Sequence, residues 1–309
     1  MARAVIIDCD PGTDDAIALW LALASRELDV QAVTVVGGNV PLTRTLPNAL
    51  AIVALAGRAE VPVYAGAARP LLGRFTEAAR VHGADGLAGV ALPPGKAAAP
   101  GIAADALRTQ LRAATQPLTL IGIGPATNLA LALATEPALC EKIEEVVLMS
   151  GAWGEGNFTP AAEFNAFSDP EALAIVLAAA PRVTLATLDL TGQVLVTPER
   201  IARLRAMGSG NCLSAASAIL EAVAPSPRFH GKPLHDPCAV AWLLWPELFT
   251  TREALVAVEC GTGPGQGRTH IDRFGRCSAD SMYRPVRLLE TLDIETFFAR
   301  LGERLAYLR

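Results

Sequence analysis

Several absences narrow the field before any motif is read. None of the six cysteines (Cys9, Cys140, Cys212, Cys238, Cys260, Cys277) pairs with another at C-x-x-C spacing. That removes a zinc knuckle and a disulfide framework, and leaves the thiols as small core residues in a reducing compartment. No basic run is interleaved with aromatics, and the net charge is −5, so a nucleic-acid-binding surface is not expected. Long apolar runs are missing too: Ala172–Ala180 and Cys238–Trp245 reach about half the length of a bilayer span. The chain passes from Met1 through Arg3 into a strand-like run with no apolar leader or cleavage site, so a cytoplasmic protein is expected. Internal repeats, low-complexity tracts and linkers are also absent.

What is there suits a large core. Of 309 residues, 51% are hydrophobic and 18% charged, enough for one large α/β domain or two ordinary ones. Short, often β-branched runs at Val5–Ile7, Val30–Val36, Val61–Tyr64, Leu118–Ile123, Val146–Met149 and Val183–Leu188 read as strands. Between them, Ala16–Ala24, Pro47–Gly57, Ile102–Ala114, Asn128–Ala134 and Pro170–Ala180 have helical length and composition. This alternation predicts an open, mainly parallel, Rossmann-like sheet with helices on both faces. The Pro/Gly/Ala-rich stretch Ala91–Pro100 falls inside the same pattern, so residues 1–309 are expected to form a single domain.

The polar clusters fall where strands end, which is where open α/β sheets bind ligands. Asp8, Asp10, Asp14 and Asp15 surround the first strand end; Gly37-Gly38-Asn39 follows the second. Gly122 to Asn128 follows the strand at 118–123. Ser150-Gly151 leads into a loop with Glu155, Asn157, Glu163, Asn165 and Asp169. Carboxylates this dense repel one another, and the nearest basic residues, Arg3 and Arg26, lie outside the motif. A hard divalent cation is the first hypothesis for what holds them together. Helix capping accounts for one or two of these aspartates but not for four.

Other features are less specific. Gly122-x-Gly124-x-x-Thr127 lacks the third glycine of a dinucleotide fingerprint and reads as a close strand-to-helix turn whose carbonyls could face an ion. Gly261 to Gly267 has no following Lys-Ser/Thr, so a hairpin between Val256–Glu259 and Thr269–Asp272 is expected rather than a phosphate cradle. Asp236-Pro237 suits a helix start, with His235 either solvated or turned to the aspartates. In the loop Gly154–Asp169, Asn and Glu alternate with Phe158, Phe164 and Phe167: either a plain polar loop, or hydroxyl-binding groups beside ring-stacking ones.

Asp8-Cys9-Asp10-Pro11-Gly12-Thr13-Asp14-Asp15 resembles the signature of the nucleoside hydrolases, the inosine-uridine preferring nucleoside N-ribohydrolases. Further segments resemble family segments in family order: Gly38-Asn39, Val61 to Gly66, His82-Gly83, Gly124 to Asn128, Glu163-Phe164-Asn165 with Asp169-Pro170-Glu171-Ala172, and His235-Asp236-Pro237. The resemblance implies a calcium-dependent enzyme that splits ribonucleosides into free base and ribose. Asp10, Asp15, Asp236 and the Ile123 carbonyl would ligate Ca2+, with ribose hydroxyls and a water filling the shell. Asp10 would also take a proton from that water. Asp14, Asn39 and Asn165 would bind the ribose hydroxyls, and Asn157 and Glu163 the 5′-hydroxyl. His235 would sit over the base and assist its departure. Phe164 and His82 would join the substrate wall, and a homodimer or homotetramer would be the assembly.

The chemistry agrees with that inventory. Cleaving the C1′–N bond builds oxocarbenium character that carboxylates stabilise. A leaving base needs a proton donor, for which histidine is the usual choice. The base side departs from the pattern. Pyrimidine-preferring members carry a tyrosine in the loop before the histidine, whereas Pro225 to Gly231 offers Phe229, which stacks but relays no proton, and His230, which either substitutes or is solvated. The tryptophan of purine-specific members is missing around Arg80–Asp85. Two competitors stand beside this reading. A magnesium-dependent phosphatase of the haloacid dehalogenase type needs Thr or Val four residues after its first aspartate, and counting from Asp8 gives Gly12. A non-catalytic nucleoside- or sugar-binding protein would be expected to have lost Asp10 or His235.

Overall fold

Residues 2–76, 78–279 and 282–308 are described in a computed structural model of the chain. β-branched runs feeding apolar helices give strands β1 (Arg3–Cys9), β2 (Leu28–Val35), β3 (Val63–Ala65), β4 (Leu118–Gly122), β5 (Ile143–Met149) and β6 (Val183–Ala186). A short pair, β7 (Leu195–Val196) and β8 (Lys232–Pro233), stands apart, and β9 (Phe249–Val258), β10 (Thr269–Asp272) and β11 (Arg284–Leu292) follow. The main sheet has nine strands in the order β3-β2-β1-β4-β5-β6-β11-β9-β10. All pairings from β3 to β11 are parallel; β9 runs antiparallel to both β11 and β10. Strand succession reverses between β1 and β4, and a crevice opens at such a switch point.

Strand alternation divides the core in two. Val5, Ile7, Cys9, Ile121 and Val147 face one layer, with helices α1 (Thr13–Ala24) and α2 (Leu42–Leu55). Ile6, Leu120, Val146 and Leu148 face the other. Helices α3 (Ala79–His82), α4 (Ala103–Ala113), α5 (Thr127–Thr135), α6 (Phe164–Ser168) and α7 (Pro170–Ala179) come next in the chain, and α4, α5 and α7 cover that second layer. The first layer is completed by α9 (Pro198–Ala206), α10 (Asn211–Ala222), α11 (Pro237–Leu244) and α12 (Ile294–Tyr307), preceded by the short α8 (Leu188–Thr191).

Helix α1 is apolar all round because it is enclosed: every residue from Thr13 to Leu23 is buried, against α2, α10, α11 and α12. Trp20 anchors it, its indole N–H donating to the Ile52 carbonyl at 3.0 Å. Removing that ring would cost about 3–5 kcal/mol. The α/β expectation therefore holds, and so does the antiparallel hairpin, whose register places Thr269 opposite Val258.

Most element bounds shift by one to three residues, α1 for example starting at Thr13 rather than Ala16, and two shifts have a visible cause. Helix α2 starts at Leu42 rather than Pro47, because the buried Thr45 hydroxyl bonds the Val36 carbonyl at 2.9 Å and holds the first turn ahead of the proline. Strand β3 is displaced to Val63–Ala65, where it pairs with Val33–Val35.

Candidate active site

The strand ends β1, β2, β4 and β5 converge on a cavity of about 510 Å³ at the switch point, within the usual range for small-molecule sites. Asp14, Asn39, His82, Ile123, Asn157, Glu163, Phe164, Asn165, Phe229, His235 and Asp236 all line it. Asp10 and Asp15 are fully buried and lie outside that lining. His230 is exposed, with φ of 51°, and does not reach the wall.

The acidic cluster is built by the turn from β1 into α1. Asp15 sits in the first turn of the helix, where its carboxylate accepts the backbone N–H groups of Asp10 (3.1 Å) and Gly12 (2.9 Å). The capping role and the cluster role thus coincide in one residue. Asn39 ties the second strand end to the first: its backbone N–H donates to Asp10 Oδ2 at 2.7 Å and its Nδ2 to Asp15 Oδ2 at 3.2 Å. Asp236, at the start of α11, completes the cluster, so that oxygens of Asp14, Asp15 and Asp236 lie within 4.8 Å of one another. The β7–β8 pairing and the Leu234 N–H to Val194 carbonyl bond (2.9 Å) fix that distant segment in place. The approach is close enough to require glycine. A Cβ at Gly38 would lie 2.1 Å from Asp10 Oδ2, and one at Gly124 2.6 Å from Asp10 Oδ1.

Electrostatics show what the cluster needs. Burial, then the charges of Asp14, Asp15 and Asp10, push Asp236 well above the usual carboxylate range. Burial and Asp15 do the same to Asp10, and burial with Asp14 lifts Asp15 to about 7. Asp10 Oδ1 is buried with no hydrogen-bond partner. An oxygen-only, multi-carboxylate cradle with an orphaned buried oxygen fits a hard divalent cation, which would reverse these shifts. The grouped oxygens of Asp14, Asp15 and Asp236 match the place where the resemblance puts a Ca2+ ion.

Asp8 is a different matter. Burial lifts it to about 7, partly opposed by hydrogen bonds from Thr34 Oγ1 (2.6 Å) and Asn128 Nδ2 (2.8 Å) to its Oδ1. It braces β1 against β2 and α5.

The other wall carries two imidazoles. His82 Nδ1 accepts the Thr13 backbone N–H at 3.1 Å, so in the neutral ring the proton sits on Nε2. His235 Nδ1 lies 2.7 Å from the Thr191 hydroxyl, and Phe229 packs edge-on against the ring at 5.7 Å. Burial lowers both histidines, opposed by the Asp14 charge. Opposite them, Glu163 caps α6, accepting N–H bonds from Gly151, Asn165 and Ala166. Asn165 donates to the Ile123 and Met149 carbonyls at 3.1 and 3.0 Å, and Asn157 Oδ1 accepts from the Phe164 N–H at 2.9 Å.

Sequence reading missed Thr13, Thr191 and Arg80, whereas Phe158, weighed there as a stacking ring, does line the cavity. Thr13 lay inside the acidic motif and was findable there. Thr191, 44 positions from His235, carried no signal.

Carboxylates gathered as for a cation, beside buried imidazoles and amides in a cavity of small-molecule size, suit a metal-assisted hydrolase. The comparisons narrow that class. The inosine-uridine preferring nucleoside hydrolase family model matches residues 5–299, and the chain belongs to that family. It is 46% identical over 280 residues to a pyrimidine-specific ribonucleoside hydrolase RihA of Shewanella woodyi, covering 89% of this chain and 90% of that protein. Among solved structures it is similar to a plant nucleoside hydrolase (TM-score 0.90, 31% identity, 99% of both chains). A purine-preferring ribonucleoside hydrolase from Gardnerella vaginalis is also similar (TM-score 0.87, 30% identity, 99% of both chains). The protein is a nucleoside N-ribohydrolase, and its reaction is hydrolysis of the N-glycosidic bond to free base and ribose.

Proposed function

We propose that the enzyme acts preferentially on pyrimidine ribonucleosides, with residues 1–309 working as one nucleoside-hydrolase-like domain. The observation that carries the base preference is the 46% identity to a pyrimidine-specific relative, against 30% to a purine-preferring one. The site chemistry supports it. A pyrimidine carries a carbonyl oxygen beside its glycosidic nitrogen, and charge moves onto that oxygen as the bond breaks. The His82 Nε2–H and the His235 ring, neutral at rest, are hydrogen-bond donors for that charge.

In this reading Asp10 and the Ile123 carbonyl join Asp15 and Asp236 as the protein's oxygen ligands. Calcium, when bound, supplies positive charge that orients the ribose diol and acidifies a neighbouring water. Asp10 takes the proton from the attacking water. Asp14, Asn39 and Asn165 hold the ribose 2′- and 3′-hydroxyls, and Asn157 and Glu163 hold the 5′-hydroxyl. Their carboxylates face the positive charge that grows on the sugar. His235, when protonated against the pull of burial, assists the leaving base, a contribution of about 3–6 kcal/mol. Six free cysteines support a reducing, cytoplasmic setting. A homodimer or homotetramer, proposed on the family resemblance, is checked by sedimentation.

The test is a panel of uridine, cytidine, inosine, adenosine and guanosine, read as reducing-sugar release. A kcat/KM for uridine and cytidine above the purines by about tenfold or more supports the preference. Equal or reversed values remove it. Asp10→Ala is expected to abolish turnover on every substrate, and activity near wild type would dismiss Asp10 as the base.

A further inference from the structure

We propose that Arg268 and Asp189 form a two-sided clamp on the loop 153–161, positioning Asn157 and Phe158 against the 5′ end of the substrate. The inference rests on the reading of Asn157 as a 5′-hydroxyl ligand. Trp153 to Ala161 contains no helix or strand, yet its tip supplies Asn157 and Phe158 to the cavity wall. Asp189, from α8, grips the N–H side of the neck: its carboxylate accepts from the Trp153 N–H at 2.8 Å and the Gly154 N–H at 3.0 Å. Arg268, just before β10, grips the carbonyl side. Its guanidinium donates to the Gly154 carbonyl at 2.9 Å, the Trp153 carbonyl at 3.3 Å and the Ala161 carbonyl at 3.4 Å.

Charged partners on both sides of one peptide segment make these bonds stronger than neutral ones. Arg268 also ties position 154 to position 161, which closes the loop at its base. Glycine at 154 is required for the grip, since a Cβ there would lie 2.6 Å from Asp189 Oδ1. The next residue, Thr269, locks the preceding segment by exchanging hydroxyl bonds with the Ala152 N–H (2.9 Å) and carbonyl (2.8 Å). Neither Arg268 nor Asp189 lines the cavity, so both are positioning residues that act through Asn157.

The discriminating measurement compares uridine with 5′-deoxyuridine, which lacks the hydroxyl. Arg268→Met should lower kcat/KM for uridine by about tenfold to a hundredfold, as a misplaced contact does, and leave 5′-deoxyuridine within about twofold. Arg268→Lys should recover part of the loss, and Gly154→Ala should reproduce it from the other side of the clamp. An unchanged calcium-induced rise in Tm verifies that each variant is folded. Equal losses on both substrates, or none on either, in folded variants overturn the clamp. Asn157→Ala separates the two claims. If it leaves the preference for uridine over 5′-deoxyuridine intact, the 5′-hydroxyl reading fails. If it abolishes that preference while Arg268→Met and Gly154→Ala do not, the clamp alone fails.

Discussion

At the scale of single residues, the site depends on what its side chains leave unmade. Asp10 keeps one buried oxygen without a hydrogen bond, in space that glycines at 38 and 124 hold open. Gly124→Ala would press a methyl against that oxygen; calcium affinity should fall about tenfold to a hundredfold, read by isothermal titration with the far-ultraviolet spectrum unchanged. Undiminished affinity would show that this oxygen is not used. Asp8 also leaves its Oδ2 without a hydrogen bond, but its Oδ1 ties Thr34 to Asn128, and that work is structural. Asp8→Ala strands the Thr34 hydroxyl and the Asn128 amide in the core and should cost about 1–3 kcal/mol in urea unfolding. Asp8→Asn keeps an acceptor there and should cost less. The sequence announced the aspartates as a group but could not divide them. Asp15 caps a helix and faces the cluster at once, whereas Asp8 turns to α5, and only the three-dimensional neighbours separate those roles.

At the scale of elements, legibility follows the strand type. β1, β2, β4, β5 and β6 are largely buried on both faces, so apolar runs announced them directly, whereas β3 is a half-buried edge strand. β11 was invisible because Arg284, Arg287 and Glu290 interrupt it, and its pairing with β9 shifts between Leu289 and Thr291. The loop before α6 was readable only as an even choice between solvent and substrate; the folded chain turns Asn157, Phe158, Glu163 and Phe164 to the cavity. A similar dependence governs His235, held between Thr191 and Phe229 from other elements. Thr191→Val keeps the shape and removes the hydroxyl. Uridine turnover should fall by less than the roughly 10²–10⁴-fold expected for losing His235 itself. A p-nitrophenyl riboside, whose leaving group needs no proton, should be unaffected. Equal losses on both substrates would mean that the hydroxyl only shapes the pocket.

At the scale of the molecule, the buried carboxylates couple stability to protons and calcium. Asp8 and Asp15 are pushed up to about 7 by burial, against 3.8 in an unfolded chain. Between these values the calcium-free folded protein binds more protons than the unfolded one, so its stability falls as pH rises through that window. Calcium takes the deprotonated cluster, so the Tm gain it confers should grow from acid to neutral pH. Thermal melts with calcium and with excess chelator at several pH values measure this directly; a gain independent of pH would refute it. Chelator should also remove activity.

The sheet order has a further consequence for how the chain is made. β11 lies between β6 and β9, although it is the last strand to be synthesised. While the chain emerges, the edge of β6 and the inner edge of the β9–β10 hairpin both wait for residues 284–292. Unpaired edges of this kind recruit other chains. Arg268 sits on that waiting hairpin, so the loop 153–161 acquires this anchor only after Asp236, the last of the clustered carboxylates, has been translated. A nascent chain would therefore hold all of its clustered carboxylates before the anchor of that loop exists.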